Sequence, residues 1–327
     1  MHEFVAIGET TIDAFIKLEN ADVNCDIDRK NCKICLPFAA KVPYEFVIEV
    51  PAVGNAGNAS VAASRLGLKS ALVANVGRDS DGEKCLGVLK TEGVSTEYVG
   101  IQEDKKTNYH YVLWYEDDRT ILQKHSEFKY RLPDIGEPNW IYLTSLGKDS
   151  DQYHGEITEY LKRFPNVKLA FQPGIFQISL GKEMLRDIYQ RSDIFFCNLE
   201  EAGRILSLNT LGAKELLKRV HALGPKIVII TDGPKGAYAF DGKNMWHQPS
   251  YPDPKPPFER TGAGDALAST TVAALTLGKD LETALKWGMI NAMSVVQQVG
   301  AQKGLLTRLQ IEKYLEDAPT DFQTRTI

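Results

Sequence analysis

No apolar run in this 327-residue chain approaches the roughly 20 residues that a membrane-spanning helix requires. Positive charge is not in excess either: 38 Lys and Arg stand against 43 Asp and Glu, a formal net charge of −5. A chain without a basic field does not attract nucleic acid or anionic lipid, so an anionic ligand must be held by local positive groups. Cysteine is sparse, and five is an odd number, which counts against the disulfide framework of a secreted domain. The opening MHEFVAIGETTIDAFI carries Glu3, Glu9 and Asp13 and lacks the basic-then-apolar order of a signal peptide. Together these absences point to a cytoplasmic protein with neither nucleic acid nor membrane as a partner.

What is present is ordinary globular composition, 43% hydrophobic and 25% charged, enough for one large α/β domain. Short apolar runs such as EFVAIG, KSALVANVG, NWIYLTS, VKLAFQ, SDIFFCN and KIVIITDG read as buried strands. Between them the spacing predicts helices over 56–66, 152–163, 182–190, 200–206 and 213–223, with another through DGEKCLGVLKTEG. GAYAF and NMWHQ read as an edge hairpin, and the last third predicts helices over 265–277, 281–299 and 308–316. Buried strands alternating with helices imply an α/β fold, a mainly parallel central sheet with helices on both faces.

Two segments break this rhythm, about 15–50 and 107–124, and both read as exposed strands. They predict a small β-lid over the end of the core, built from two insertions in a single domain spanning 1–327. The first holds Cys25, Cys32 and Cys35. The spacing of Cys32 and Cys35 is common in structural zinc sites, with Asp26, Asp28, a distant histidine or a second chain as candidate fourth ligand. The other reading, reduced thiols in a polar loop, is preferred because half of a paired-cysteine pattern is missing. In the second segment, Tyr109, Tyr111, Trp114 and Tyr115 are candidates to stack on a base or simply to pack the lid. Arg119 is open to two readings, contact with an anionic substrate or plain solvation.

The stretch ERTGAGDALAST places Gly262, Ala263 and Gly264 directly before Asp265 and an Ala-rich helical pattern. Small residues at a helix N-terminus suit an anion, because unpaired N–H groups and a partial positive charge meet there. Asp265 is itself an anion, so either it caps the helix or it has chemistry to perform beside a second negative group. Other polar residues follow predicted strands: Asp13; Asn55 and Asn58; Asn198 and Glu201; Thr231 and Asp232. In open parallel sheets such strand ends are where ligands bind.

With GNAGNASVAASRLG, NVGRDSDGEKCLGVLKTEGV and TGAGDALAS in the expected order, the chain resembles the PfkB family of ribokinase-like carbohydrate and nucleoside kinases. The match of Asn198 and Glu201 to N-x-x-E, and TDGPKGAYAF, lie between these motifs. The resemblance implies an ATP- and Mg²⁺-dependent phosphotransferase acting on a sugar or nucleoside. In it Asp265 would be the catalytic base and the Gly262-Ala263-Gly264 backbone the anion hole. Asp13, Gly54, Asn55 and Asn58 would hold sugar hydroxyls, and Asn198 and Glu201 would organise Mg²⁺ through water. Thr231, Gly233, Gly236 and Asn291 would line the nucleotide, with the Gly300–Ala301 turn near its base.

The lid would pair two copies into a homodimer. Glu259 stands where the family often has an Asp that helps bind a monovalent cation, which counts against K⁺ activation. A sugar or sugar acid is preferred to a nucleoside as acceptor. A non-catalytic sugar- or nucleotide-binding sensor is the rival of another class, opposed by the intact Asp265 and its small-residue turn.

Overall fold

The computed structural model describes residues 1–26, 32–116, 118–208 and 211–327. The chain opens on β1 (Phe4–Ile7), four buried residues in the middle of a sheet. It then leaves the core through β2 (Thr11–Leu18), the antiparallel pair β3 (Asp22–Asn24) and β4 (Lys33–Cys35), and β5 (Tyr44–Val53). It returns along α1 (Asn55–Arg65), β6 (Ser70–Gly77), α2 (Ser80–Thr91) and β7 (Val99–Gln102). A second excursion forms β8 (Tyr109–Tyr115) and β9 (Asp118–Leu122).

The core resumes with β10 (Trp140–Leu143), α3 (Asp151–Arg163), β11 (Lys168–Phe171), α4 (Ile175–Leu180) and α5 (Arg186–Arg191). After these come β12 (Ile194–Asn198), α6 (Leu199–Leu206), α7 (Ala213–His221) and β13 (Ile227–Thr231). The chain ends through β14 (Ala237–Phe240), β15 (Met245–Gln248), α8 (Ala263–Thr276), α9 (Leu281–Val295), α10 (Arg308–Glu316) and β16 (Arg325–Thr326).

The strands order as β16-β15-β14-β13-β12-β11-β10-β1-β6-β7, parallel from β13 to β7 and antiparallel beyond β13. Alternating side chains feed two cores, as the pleat requires. Phe4 and Ala6 join α1, α8 and α9 on one face, while Val5 and Ile7 join α3, α5 and α7 on the other. The Ala-rich α8 is buried from Ala266 to Ala274, which lets neighbouring helices approach its backbone closely. Among the described residues no helix is long and apolar enough to cross a membrane.

The lid is a four-stranded sheet in the order β5-β2-β8-β9, so the two insertions do pair. It begins at Thr11 rather than near residue 15, so Asp13 stands on a lid strand. Of the helix expected over 182–190 only its second half forms, as α5, and a short α4 not expected from the sequence precedes it, ended by Gly181 at φ +85. The short edge strands β7 and β16 were not expected, and α9 stops at Val295, short of residue 299.

The cysteines also correct the sequence reading. Cys25 and Cys32 form a disulfide, while Cys35, Cys85 and Cys197 are free. Pairing of Asn24 with Lys33 brings the next residues of β3 and β4, Cys25 and Cys32, opposite each other. Neither sulfur of a disulfide is a thiolate, so the Cys25, Cys32, Cys35 zinc set is not available in this structure. Asp28, a candidate fourth ligand, lies outside the described residues.

Candidate active site

The segment before α8 has an unusual start. Gly262 is the N-cap residue in the left-handed region, φ 83, and no side chain caps the helix. The first N–H groups of α8 therefore have no intrahelical or side-chain acceptor. Asp265 is the third residue of the helix and its carboxylate points elsewhere, which removes the capping explanation.

Three amides hold that carboxylate. Asn55 Nδ2 donates to Oδ1 at 2.9 Å, Gln172 Nε2 donates to Oδ1 at 3.2 Å, and Asn58 Nδ2 donates to Oδ2 at 2.8 Å. Asn55 and Asn58 reach it because the start of α1 abuts α8, and residues three apart share a helix face. The amide orientations are themselves fixed: Tyr142 O–H donates to Gln172 Oε1, and Gln302 Nε2 donates to Asn58 Oδ1 at 3.2 Å. Burial pushes the Asp265 carboxyl up to about 6, with the Asp13 charge adding to the rise and the three amides opposing it.

A cleft of about 590 Å³ opens beside this turn, lined by Ala263, Gly264, Asn198, Thr231, Gly233 and Gly236 among others. Asn198 and Glu201 are locked in a capping box: Glu201 N–H donates to Asn198 Oδ1 at 2.8 Å, and Asn198 N–H to Glu201 Oε2 at 2.9 Å. Burial raises the Glu201 pKa and the Asp265 charge adds to it.

At the lid side, Asp13 is 7% exposed and its Oδ1 lies 3.3 Å from His110 Nδ1, its register partner on β8. Beside them Glu9 Oε2 lies 2.9 Å from His125 Nδ1, and the two imidazole centroids are 5.1 Å apart. Thr10 Oγ1 and the Nε2 atoms of His110 and His125 are buried without hydrogen-bond partners.

Several expected positions move. Asn291 is fully buried and spends its amide inside the protein, donating to Thr270 Oγ1 at 2.6 Å and accepting Leu306 N–H at 2.9 Å. Its neighbours on α9, Met289, Ala292 and Met293, line the cleft instead. Ala301 backs Gly262 rather than the cleft. Tyr109 and Tyr111 are register partners of Ile12 and Ala14, on the face opposite Asp13, and Tyr115 follows them by alternation along β8, whereas Trp114 shares the Asp13 face. Trp114 is filled by its neighbours, with Lys17 4.4 Å from its ring and Phe258 4.9 Å away. Gln172 was missed although it directly follows β11, at the strand end where ligand-facing groups collect. His110 was missed because only lateral register brings it to Asp13.

The chain is similar to known proteins over nearly all of its length. The description "pfkB family carbohydrate kinase" matches residues 1–308. A nucleoside kinase of Methanocaldococcus jannaschii is 24% identical over 317 residues, covering 97% of each chain. The ribokinase of Bacillus subtilis is 26% identical over 80% of this chain and 87% of its own. The structure of Arabidopsis thaliana ribokinase complexed with ribose and ATP superposes with a TM-score of 0.79 at 19% identity, covering 96% of this chain and 99% of that one. With the family matched over nearly its whole length and the ribokinase fold in place around Asp265, this chain belongs to the pfkB family of carbohydrate kinases.

Proposed function

We propose that the protein transfers the γ-phosphate of ATP to a hydroxyl of a sugar or sugar acid. The observation that carries this reading is Asp265, a carboxylate steered by three amides at the uncapped start of α8, beside a cleft of nucleotide size. The acceptor hydroxyl gives its proton to Asp265 as its oxygen attacks the γ-phosphorus and the bond to ADP breaks. A carboxyl held at about 6 is charged at neutral pH yet basic enough to take that proton. Backbone N–H groups from Gly262 to Gly264 stabilise charge on the transferring oxygens.

Asn198 and Glu201 supply hard oxygen chemistry that fits Mg²⁺, since Glu201 keeps Oε1 outside its capping box. Among the described residues no group of three or more His, Cys, Asp or Glu is assembled for a metal, so phosphate and water would supply most ligands. When bound, the ion would neutralise phosphate charge.

Asp13 anchors the acceptor end. The unpaired buried atoms of Thr10, Asp13, His110 and His125 suit a ligand rich in hydroxyls, which can partner both donors and acceptors. Asn58 spends both amide atoms inside the protein, so its part is to hold the base. A nucleoside acceptor is the second reading, favoured by the likeness to a nucleoside kinase over 97% of the chain. The tyrosines that would stack a base lie on the other lid face, which favours the sugar.

ADP release from purified protein with ATP and a panel of sugars, sugar acids and nucleosides tests this directly. Turnover on nucleosides alone would replace the first reading with the second, and no turnover on any would defeat both. On the true acceptor, Asp13→Ala should raise KM for the acceptor at least about tenfold with KM for ATP little changed, the loss expected when a charged hydrogen-bond partner is removed. Equal weakening of both substrates would show the acceptor end to be misplaced. Because the Arg119 guanidinium already stands 3.6 Å from Glu259, we expect turnover to be the same in potassium, sodium and choline chloride. A several-fold rise specific to K⁺ would refute that expectation.

A further inference from the structure

The lid touches the loop that leads into the anion hole at two adjacent points. Trp114 and Arg119 are directly paired across β8 and β9, so their side chains leave the sheet on one face. Lys17, the register partner of Trp114 on β2, shares that face with Asp13 four pairs along. Both contacts on the core fall within residues 258–261, which run straight into Gly262.

The apolar contact is Trp114 edge-on to Phe258, with centroids 4.9 Å apart. The polar contact is Arg119, whose Nε donates to Thr261 Oγ1 at 2.9 Å and stands 3.6 Å from Glu259 Oε1. The same Glu259 oxygen accepts Thr261 N–H at 2.7 Å. Glu259 is 1% exposed, and its Oε2 has no hydrogen-bond partner. A buried carboxylate is costly unless a positive group faces it. Among the described residues the cation paired with Glu259 is Arg119, which also sits 3.2 Å from Asp118.

The far side of the segment is fixed to the core. Phe258 and Glu259 N–H groups donate to Val296 O at 2.8 and 3.2 Å. Gly262 lies so close to Ala301 that a Cβ there would approach its Cβ to 2.3 Å. Residues 258–262 are thus clamped between the helical core and the lid, and one clamp is a single arginine.

We propose that Arg119 is a positioning residue that makes the geometry of the Gly262–Gly264 turn depend on the seating of the lid. The inference rests on the phosphotransferase reading, in which Asp13 on the same lid sheet meets the acceptor. An acceptor that seats the sheet through Asp13 thereby sets the loop through Arg119, and the phosphate site forms fully only over a bound acceptor. A lid that completes the site in this way limits transfer of phosphate to water.

Arg119→Ala, Arg119→Lys, Glu259→Gln and the double variant Arg119→Ala/Glu259→Gln, each in the full chain, test the latch. Arg119→Ala should lower kcat about 30- to 100-fold with KM for ATP within about threefold, the split expected of misplacement near the chemistry. Arg119→Lys should recover less than about a tenth of the loss, because an ammonium cannot serve hydroxyl and carboxylate from one planar fork. The double variant should be no slower than Arg119→Ala alone, as for residues acting through one contact.

Hydrogen exchange of amides 258–264, measured without substrates, should quicken at least about tenfold in Arg119→Ala, since local opening is no longer opposed. This readout needs no turnover. If the parent protein phosphorylates nothing, the functional reading fails while exchange still decides the latch. Unchanged exchange in Arg119→Ala would overturn the proposal. So would a rise in KM for ATP with kcat intact, which would make Arg119 a direct nucleotide contact.

Discussion

Asp265→Asn should fold, bind ATP and transfer phosphate about 10²–10⁴ times more slowly, the range for loss of a general base. The parent rate carries its own signature. With the carboxyl held at about 6, kcat/KM should fall about tenfold per pH unit below that point, while the variant's residual rate stays flat across it.

Stability should move the other way. Burial raises the folded carboxyl from its ordinary 3.8 to about 6, so between those values the folded chain keeps a proton the unfolded chain has lost. The protonated group's advantage is complete below about pH 4 and disappears as pH rises through about 6. At neutral pH the charged carboxylate thus costs the folded state on the order of 2–3 kcal/mol relative to an acid free in solution. The amide variant does not titrate, so the parent's Tm should decline relative to the variant's as pH rises from 4 to 6.5. Near-parental turnover in the variant would remove Asp265 from the chemistry. A Tm difference that ignores pH would show that the carboxyl is not held in its protonated form.

The parts of the site that were legible in the sequence are the local ones. Gly262 to Asp265 sit together at one helix start, and Asn55 and Asn58 share one turn of another, so spacing alone places them. The parallel core was legible for the same reason, since buried strands are continuous apolar runs. What was hidden depends on register between segments far apart in sequence. His110 meets Asp13 across ninety-seven positions only because β2 and β8 pair in parallel. The same register turns Tyr109 and Tyr111 away from Asp13, which alternation within β8 could not reveal without knowing its partner. Asn291 was misplaced by one helical step: the residues beside it face the cleft while its amide faces Thr270 and Leu306. The disulfide was hidden because an odd cysteine count constrains the total, not whether β3 and β4 bring two sulfurs opposite each other.

The two glycines of the turn, alike in the sequence, should respond in opposite ways to an added side chain. A Cβ on Gly264 would have no atom within 4 Å, and the residue lies in the first turn of α8. Gly264→Val should therefore change Tm by only a few degrees, because valine is no worse than glycine in a helix. Yet its branched side chain would fill the ground in front of the turn's N–H groups, where phosphate must approach, and activity should fall by at least about 10³ as those donors are screened together.

Gly262 has the opposite surroundings. A Cβ there would lie 2.3 Å from Ala301 Cβ and 2.7 Å from Ala301 Cα, on a backbone at φ +83. The left-handed conformation alone costs a residue with a Cβ about 1–2 kcal/mol. Overpacking against a backbone that cannot step aside adds about 1–3 kcal/mol. Gly262→Ala should lose stability on the order of 3 kcal/mol, and its activity should fail through the fold. Thermal melts and turnover of the two variants separate the roles. If Gly264→Val turned over normally, phosphate would have to enter by another route. If instead Gly264→Val melted like Gly262→Ala, the space before Gly264 would be packing room rather than the approach of a ligand.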